Sequence, residues 1–203
     1  PYGYGVMHRM HHAFADTEND PHSPKYDESI FKMMWKTKTI YSKIASGQEI
    51  PEKRFTEGVP KWEFFDRFAR SWPSRLFWGA AYVGVYYLFA TEIWLWALLP
   101  MQFLFSPIHG AIINWFAHKY GYRNYEVKDT SRNFLPFDFL MMGESYHNNH
   151  HKYGSRPNFG GIRWHEIDPT YQVIKLLNAL RIIQIKDQKE IQLPREIKKK
   201  QAA

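Results

Sequence analysis

The sequence LFWGAAYVGVYYLFA, residues 76–90, is followed after Thr91 and Glu92 by IWLWALLPMQFLFSPIHGAIINWFA, residues 93–117. Residues 76–117 contain none of the chain's 27 Lys and Arg residues, and Glu92 is their single acid. A helix needs roughly 20 apolar residues to cross a hydrocarbon core about 30 Å thick. The block therefore predicts two transmembrane helices, residues 76–91 and 93–117, in an all-α integral membrane protein. A buried hairpin in a soluble all-α protein is the alternative, but so long a charge-poor stretch exceeds ordinary core helices.

The basic residues on either side of this block predict its orientation. Of the Lys and Arg residues, 12 precede residue 76 and 15 follow residue 117, and the net charge is +7. Two crossings return the chain to its starting side, and the positive-inside rule assigns both arms to the cytoplasm. We therefore expect a transmembrane hairpin with both termini in the cytoplasm and residues 90–93 exposed opposite. The bilayer accounts for the charge, and no nucleic acid partner is predicted.

Amphipathic segments flank the apolar block. KWEFFDRFARSW, residues 61–72, spaces aromatic residues at helical intervals with charges between them, which predicts a helix lying in the membrane interface. DPTYQVIKLLNALRII, residues 168–183, predicts another helix, with Asp168 as its N-cap and proline at its first position. The basic tail PREIKKKQAA, residues 194–203, is expected to be disordered or to rest on anionic lipid. Together these segments predict a cytoplasmic helical cap.

Two copies of one histidine pattern stand on opposite sides of the hairpin: HRMHH at residues 8–12 and HNNHH at residues 147–151. Positions i, i+3 and i+4 of a helix fall on one face, so each copy presents three imidazoles together. With both copies in one compartment, the pattern predicts a shared metal centre made of nitrogen ligands. Imidazole suits iron, zinc, copper and nickel, so the metal stays open. The absence of cysteine excludes thiolate and iron–sulfur sites.

A third element, NWFAHKYG, begins at the cytoplasmic end of the second predicted crossing. Asn114 and His118 are four residues apart, which is one helical turn. The position of His118 brings it level with the two cytoplasmic arms, and the amide of Asn114 in the same row can hold a metal-bound water. An interfacial histidine without a ligand role is the simpler interpretation of His118 taken alone.

At this point the residues resemble a known family. HRMHH followed by AFADTENDPHSP, then NWFAHKYGYRNY, then GESYHNNHH, resemble the membrane fatty acid desaturases, on the branch that includes stearoyl-CoA desaturase and its bacterial relatives. The resemblance runs from His8 to about Thr170. It implies a di-iron enzyme that uses O₂ to remove two hydrogens from a saturated acyl chain and leaves a cis double bond, with the delta-9 position expected.

The resemblance also implies the ligands and the partners. The implied iron ligands are His8, His11 and His12 in the family's second histidine box, His147, His150 and His151 in its third, His118 between them, and Asn114 through a water. The implied substrate is a fatty acyl group linked to CoA, to a carrier protein or to a lipid. Because the chain has no dinucleotide fingerprint, haem-domain pattern or cysteine cluster, its electrons are expected to come from another protein. The resemblance implies a cytochrome b5 or ferredoxin-type donor.

One part of the family pattern is missing. The family's first histidine box precedes the second, but only seven residues precede His8, and none of them is histidine. We therefore expect residues 1–203 to be the C-terminal part of a single desaturase domain, without its first hairpin, and to be inactive alone. The other histidines are expected to have lesser roles: His22 in a hydrogen-bonded turn, His109 in packing and His165 at the surface.

Two rival functions are compatible with these patterns. A histidine-box membrane hydroxylase uses the same ligands, but it leaves an alcohol and no double bond. A non-catalytic membrane metal-binding protein tolerates the missing box, but it does not need Asn114 and does not consume O₂. The three family segments in this order favour the desaturase.

Overall fold

A computed structural model describes residues 2–186, and the chain divides into two compact units, Pro1–Gly110 and Ala111–Ala203. The described residues are helical, with no strand beyond isolated bridges, which confirms the predicted all-α class. The predicted basic tail, residues 194–203, lies outside the described residues. The helices are α1 (Tyr2–Phe14), α2 (Ile30–Ser46), α3 (Lys53–Thr56), α4 (Glu63–Arg70), α5 (Trp72–Phe89), a 3₁₀ helix (Ile93–Leu98), α6 (Leu99–Phe116), α7 (His147–Lys152) and α8 (Pro169–Ala179).

The first unit is built around α1, which carries HRMHH. Val6 and Met7 of α1 are buried against Ile44 of α2 and Phe55 of α3. A Cβ at Gly3 would lie 3.0 Å from the Cβ of Ala45, so α1 and α2 approach closely at this glycine. The apolar face of α1 therefore packs inside the unit. This packing fixes α1, and with it the histidines that α1 carries.

The predicted interfacial helix is shorter than residues 61–72. The backbone N–H of Ser71 bonds to Phe68 at 2.9 Å, and the Ser71 hydroxyl accepts from the N–H of Ser74 at 3.3 Å. Ser71 thus ends α4 and caps α5, so Trp72 belongs to the next helix. Trp62 and Phe64 are 66% and 73% exposed, which leaves the aromatic side of α4 without protein packing.

The apolar block forms α5, the 3₁₀ helix and α6. In the first unit the ring of Tyr82 lies 5.6 Å from that of Phe103, and Tyr86 lies 5.9 Å from Trp96, so α5 packs on the segment that follows it. Ile93–Phe116, 24 residues, is the one described helical segment long and apolar enough to cross a membrane. The first predicted crossing, residues 76–91, begins inside α5 and runs two residues past the end of that helix at Phe89. That it crosses a membrane remains a prediction.

The second unit is largely an irregular chain that leads to α7. Isolated bridges join Tyr122 to Asn133 and Asn133 to Tyr146, where α7 begins. Gly121 has φ 115°, and a Cβ there would lie 2.1 Å from the carbonyl oxygen of Asn133, so only glycine fits. These contacts place α7, which carries HNNHH, against the chain that follows α6.

The last described helix begins as predicted and ends early. The Asp168 carboxylate accepts from the N–H of Tyr171 at 2.9 Å, which confirms the N-cap. The predicted range of residues 168–183 is too long, because α8 ends at Ala179 and Arg181 has φ 58°. A left-handed residue at this point stops the helical hydrogen bonding.

Candidate metal centre

Two histidines of the first copy converge on the surface of α1. His8 and His12 lie one turn apart, and their Nε2 atoms are 3.1 Å from each other. The two rings meet edge to face with centroids 4.6 Å apart. The helical spacing of HRMHH therefore brings two of its three imidazoles together directly.

The third imidazole of this copy is held by a carboxylate. His11 Nδ1 lies 2.9 Å from Asp20 Oδ1, and both side chains are fully buried. Asp20 also accepts from the backbone N–H of Asp16 at 2.8 Å and of His22 at 3.0 Å. The ring of His22 lies 4.1 Å from that of His11. His22 therefore packs against the histidines of α1 in addition to its place in the turn.

The second copy converges with His118. His118 Nε2 lies 3.1 Å from His147 Nε2. The ring of His151 lies 4.4 Å from His147 and 5.2 Å from His118, and one nitrogen of each of the three lies within 4.8 Å of the others. The buried ring of His150 stacks on Phe159 with centroids 4.0 Å apart. The second unit thus groups three imidazoles from two segments.

The spacing of these nitrogens fits a metal ion. Two imidazole nitrogens bound to one ion at about 2.0–2.1 Å lie roughly 3.0–3.4 Å apart in octahedral or tetrahedral geometry. The pair in α1 and the pair formed by His118 and His147 both measure 3.1 Å. Each unit therefore offers one pair of nitrogens at ligand separation, and neutral imidazoles suit iron among other transition metals.

Oxygen atoms behind the second cluster hold its rings. Asp129 Oδ2 lies 2.9 Å from His151 Nδ1, and Thr130 Oγ1 lies 3.2 Å from His118 Nδ1. Burial alone would raise the pKa of Asp129, but the hydrogen bond and charge of His151 and the hydrogen bond from the Ser131 N–H hold that pKa below its ordinary value. The carboxylate therefore stays ionised beside the imidazole.

The two amides of HNNHH anchor α7. Asn148 Oδ1 accepts from the backbone N–H of Asn124 at 2.9 Å and of Tyr125 at 2.8 Å. Asn149 Nδ2 donates to Glu166 Oε2 at 3.1 Å, and its Oδ1 accepts from Asn124 Nδ2 at 2.8 Å. Asn148 and Asn149 are buried. These bonds fix the short helix from which the histidines project. They are needed because a helix of six residues is not stable by itself.

Asn114 and the remaining histidines are spread along the chain. Asn114 is half-buried near the end of α6, and His118 follows two residues after the last residue, Phe116, in a turn rather than in the helix. The expected one-turn helical spacing between Asn114 and His118 is therefore interrupted. His109 stacks on Phe105 with centroids 5.8 Å apart, and His165 Nδ1 bonds to the carbonyl oxygen of Pro136 at 2.7 Å.

Asp20, Asp129 and Glu166 were not predicted from the sequence. Asp20 stands in AFADTENDPHSP, and Asp129 stands between NWFAHKYG and HNNHH. The signal that could have found them is an acidic residue in the segment joining two histidine elements, because metal-binding histidines usually donate their second nitrogen to a carboxylate or carbonyl. The same segments also contain other acidic residues, such as Glu18 and Glu126, so composition alone does not choose among them.

Glu144 gives a pH-dependent prediction for the segment before α7. Burial, with the charges of Asp168 and Asp138, raises the pKa of Glu144 to about 7. Its pKa is therefore higher in the folded than in the unfolded chain, so stability falls as the pH rises from about 4.5 to 7 and stays reduced above. Glu144→Gln should stabilise the protein at pH 8 by about 1–2 kcal/mol, after allowance for the half-buried side chain, and should change little at pH 4.

The measurement is the thermal unfolding midpoint of detergent-solubilised protein at the two pH values. The exposed Glu126 provides the matched control, because Glu126→Gln removes a charge from the surface and not from the interior of the fold. A Glu144→Gln midpoint that rises equally at both pH values would contradict the raised pKa as the cause.

Comparison with known proteins agrees with the histidine arrangement. The family model described as fatty acid desaturase matches residues 1–179. The delta-9 desaturase-like 4 protein of Arabidopsis thaliana is 31% identical over 211 residues, covering 100% of this chain and 63% of its own length. The sn-1 stearoyl-lipid 9-desaturase of Synechocystis sp. is 32% identical over 193 residues, covering 94% of this chain and 55% of its own length.

A third relative differs in the substrate that its name gives. The acyl-CoA 5-desaturase AL21 of Anemone leveillei is 28% identical over 203 residues, covering 98% of this chain and 58% of its own length. The chain spans about three fifths of the length of these curated relatives. No solved structure matches it. The match of the family model over nearly the whole chain, together with these relatives, shows that the chain belongs to the fatty acid desaturase family.

Proposed function

We propose that the protein carrying this chain is an O₂-dependent di-iron fatty acyl desaturase that introduces a cis double bond into a saturated acyl chain. The observation that carries the proposal is the pair of nitrogens at 3.1 Å in each unit, formed by His8 with His12 and by His118 with His147. Imidazoles at ligand spacing in a member of the desaturase family are donors suited to iron, which supports this chemistry.

The proposed iron ligands are all imidazoles except one amide that acts through water. They are His8, His11, His12, His118, His147, His150, His151 and, through a water, Asn114. Bound iron would supply the activation of O₂ that removal of hydrogen from an unactivated methylene demands. The chain's own residues hold the imidazoles in place: Asp20 holds His11, Asp129 holds His151 and Thr130 holds His118. Neutral imidazoles would hold the irons without cancelling their positive charge.

We propose a delta-9 position and an acyl chain carried by CoA or by a lipid. The names of relatives from Arabidopsis thaliana and Synechocystis sp. include a 9-position, while the Anemone leveillei relative is named for acyl-CoA and a 5-position. The proposed electron donor is a cytochrome b5 or a ferredoxin-type protein, because the chain has no cysteine and no dinucleotide fingerprint.

We further propose that α5 and α6 form a transmembrane hairpin with the histidine boxes and both termini on the cytoplasmic side. The exposed apolar segment Ile93–Phe116 supports one crossing, and the ring contact of Tyr82 with Phe103 supports the pairing of α5 with it. The distribution of Lys and Arg to either side of residues 76–117 supports the orientation.

Product analysis tests the function. Expression of the full-length protein in a desaturase-deficient host should yield mono-unsaturated acyl chains, with the double-bond position read by mass spectrometry of derivatised lipids. A hydroxylase would give acyl alcohols instead. Iron binding without O₂ consumption and without a new product would identify a non-catalytic metal-binding protein, and either result would reject the desaturase.

Asn114 gives a prediction that separates a desaturase from a generic histidine site. Asn114→Ala in the full-length protein should keep the fold, since one lost hydrogen bond costs about 0.5–1.5 kcal/mol. Desaturation should fall about 10–100-fold, as it typically does when a group behind a metal site is removed. The measurement is product yield together with iron content. Asn114→Ala that equals the unmodified protein in both quantities would show that the spacing to His118 is coincidental.

A further inference from the structure

One short segment of the second unit contacts two histidines of the same cluster. Asp129 Oδ2 lies 2.9 Å from His151 Nδ1, and the neighbouring Thr130 Oγ1 lies 3.2 Å from His118 Nδ1. The segment is itself fixed by Arg123, whose Nη2 donates to the carbonyl oxygen of Asp129 at 2.6 Å and whose Nε donates to that of Ser131 at 3.1 Å. Two adjacent side chains of a loop held by Arg123 therefore contact the rings of two different histidines.

We propose that Asp129 is a positioning residue for this cluster: it fixes His151 in the tautomer that carries its proton on Nδ1 and its lone pair on Nε2, while Thr130 orients His118. The proposal rests on the proposed function for its metal, but the tautomer it assigns is a property of the protein alone. In this proposal Asp129 acts through the imidazole of His151, whose Nδ1 lies 2.9 Å from its Oδ2.

The hydrogen bonds of the carboxylate determine the direction of the proton. Asp129 Oδ1 accepts from the backbone N–H of Ser131 at 2.9 Å, which leaves Oδ2 to His151 Nδ1. An ionised carboxylate only accepts hydrogen bonds, so Nδ1 of His151 must donate. The Nε2 atom is then free of a proton in the neutral ring. The Thr130 hydroxyl either donates or accepts, so it orients His118 without fixing the tautomer.

This arrangement predicts a specific result for Asp129→Asn. The Ser131 N–H requires an oxygen at the Oδ1 position, so the new amide must direct its NH₂ group toward His151 Nδ1. An NH₂ group donates, and Nδ1 would have to accept, which moves the ring proton to Nε2. The substitution retains the shape of the side chain but blocks the nitrogen that we assign to the metal. We expect affinity for Fe(II) at this cluster to fall about 10–100-fold.

The experiment uses the full-length protein and two readouts. Ring ¹⁵N chemical shifts of metal-free, ¹⁵N-histidine-labelled protein give the tautomer of His151, assigned by its loss in His151→Gln. Anaerobic titration with Fe(II) against a chromophoric chelator gives the affinity. Asp138→Asn is the matched control, because Asp138 is also buried but accepts from the backbone N–H groups of Met141, Gly143 and Ser145. It should destabilise the protein and leave the His151 tautomer unchanged.

We expect the Nδ1–H tautomer in the unmodified protein and the Nε2–H tautomer in Asp129→Asn. A proton on Nε2 of His151 in the unmodified protein overturns the proposal, and so does an Asp129→Asn protein that keeps the Nδ1–H tautomer. An unmodified protein that binds no Fe(II) would reject the proposed function, while the tautomer comparison would still decide the role of Asp129.

Discussion

Replacing His118 with alanine in the full-length protein should abolish desaturation and lower iron affinity by more than about 100-fold, beyond the range seen for residues behind a metal site. The Nε2 atom of His118 lies 3.1 Å from that of His147, so its removal deletes one nitrogen of a pair at ligand spacing. It also leaves Thr130 without the imidazole that its hydroxyl contacts.

The measurements are product yield in a desaturase-deficient host and iron content of the purified protein. His165→Ala is the matched control, since His165 is also in the second unit but bonds to the carbonyl oxygen of Pro136 instead of to another histidine. That variant should retain near-normal product and iron. A His118→Ala protein with full iron content would refute the assignment of His118 as a ligand, and the thermal unfolding midpoint would show whether lost activity reflects misfolding.

The histidine-bearing helices were largely predictable from local pattern. HRMHH falls within α1 and HNNHH begins α7, in agreement with the i, i+3, i+4 argument for helical presentation. Asp168 caps α8 through a hydrogen bond three residues along the chain. Such features depend on residues within one or two turns of each other, and local sequence contains the necessary information.

The environment of each histidine was not predictable in the same way. His151 contacts Asp129, and His118 contacts Thr130, across chain separations of 22 and 12 residues. The turn that follows Phe116 removes His118 from α6, so the helical spacing from Asn114 that the sequence predicts is lost at its last step. Long-range packing of the irregular chain determines which imidazole nitrogen makes a hydrogen bond. The periodicity of the sequence does not predict it.

The amides of HNNHH are a second case in which tertiary contacts decide. Sequence alone leaves open whether Asn148 and Asn149 face a metal, water or protein. The structure directs both side chains into the protein, toward Asn124, Tyr125 and Glu166. A six-residue helix has few hydrogen bonds of its own, so the buried amides provide the stability that a longer helix would derive from its backbone.

Glu166 is the acceptor on which much of this network depends, and replacing it should have the largest effect on stability. Its Oε1 accepts from Tyr122 Oη at 2.7 Å and from Asn124 Nδ2 at 2.6 Å. Its Oε2 accepts from Asn149 Nδ2 at 3.1 Å and from the backbone N–H of Ile162 at 3.0 Å. The side chain is buried, so no water substitutes for a lost acceptor.

Glu166→Gln keeps the size of the side chain but converts one acceptor oxygen into an NH₂ donor. Oε1 accepts from the side chains of Tyr122, Asn124 and Asn133, and Oε2 accepts from Asn149 and from the N–H groups of Ile162 and Arg163, so the NH₂ group faces at least two donors whichever way the amide turns. Each buried donor left without an acceptor costs about 1–3 kcal/mol, so we expect a loss of about 3–5 kcal/mol and a thermal midpoint lower by roughly 10 °C. Tyr122→Phe should lower the midpoint less than Glu166→Gln does, because it removes one donor and leaves the carboxylate with its other partners. Iron binding by His147 should weaken together with stability, since Asn149 loses its acceptor and α7 its anchor. A Glu166→Gln midpoint within about 2 °C of the unmodified protein would show that these hydrogen bonds do not hold α7 in place.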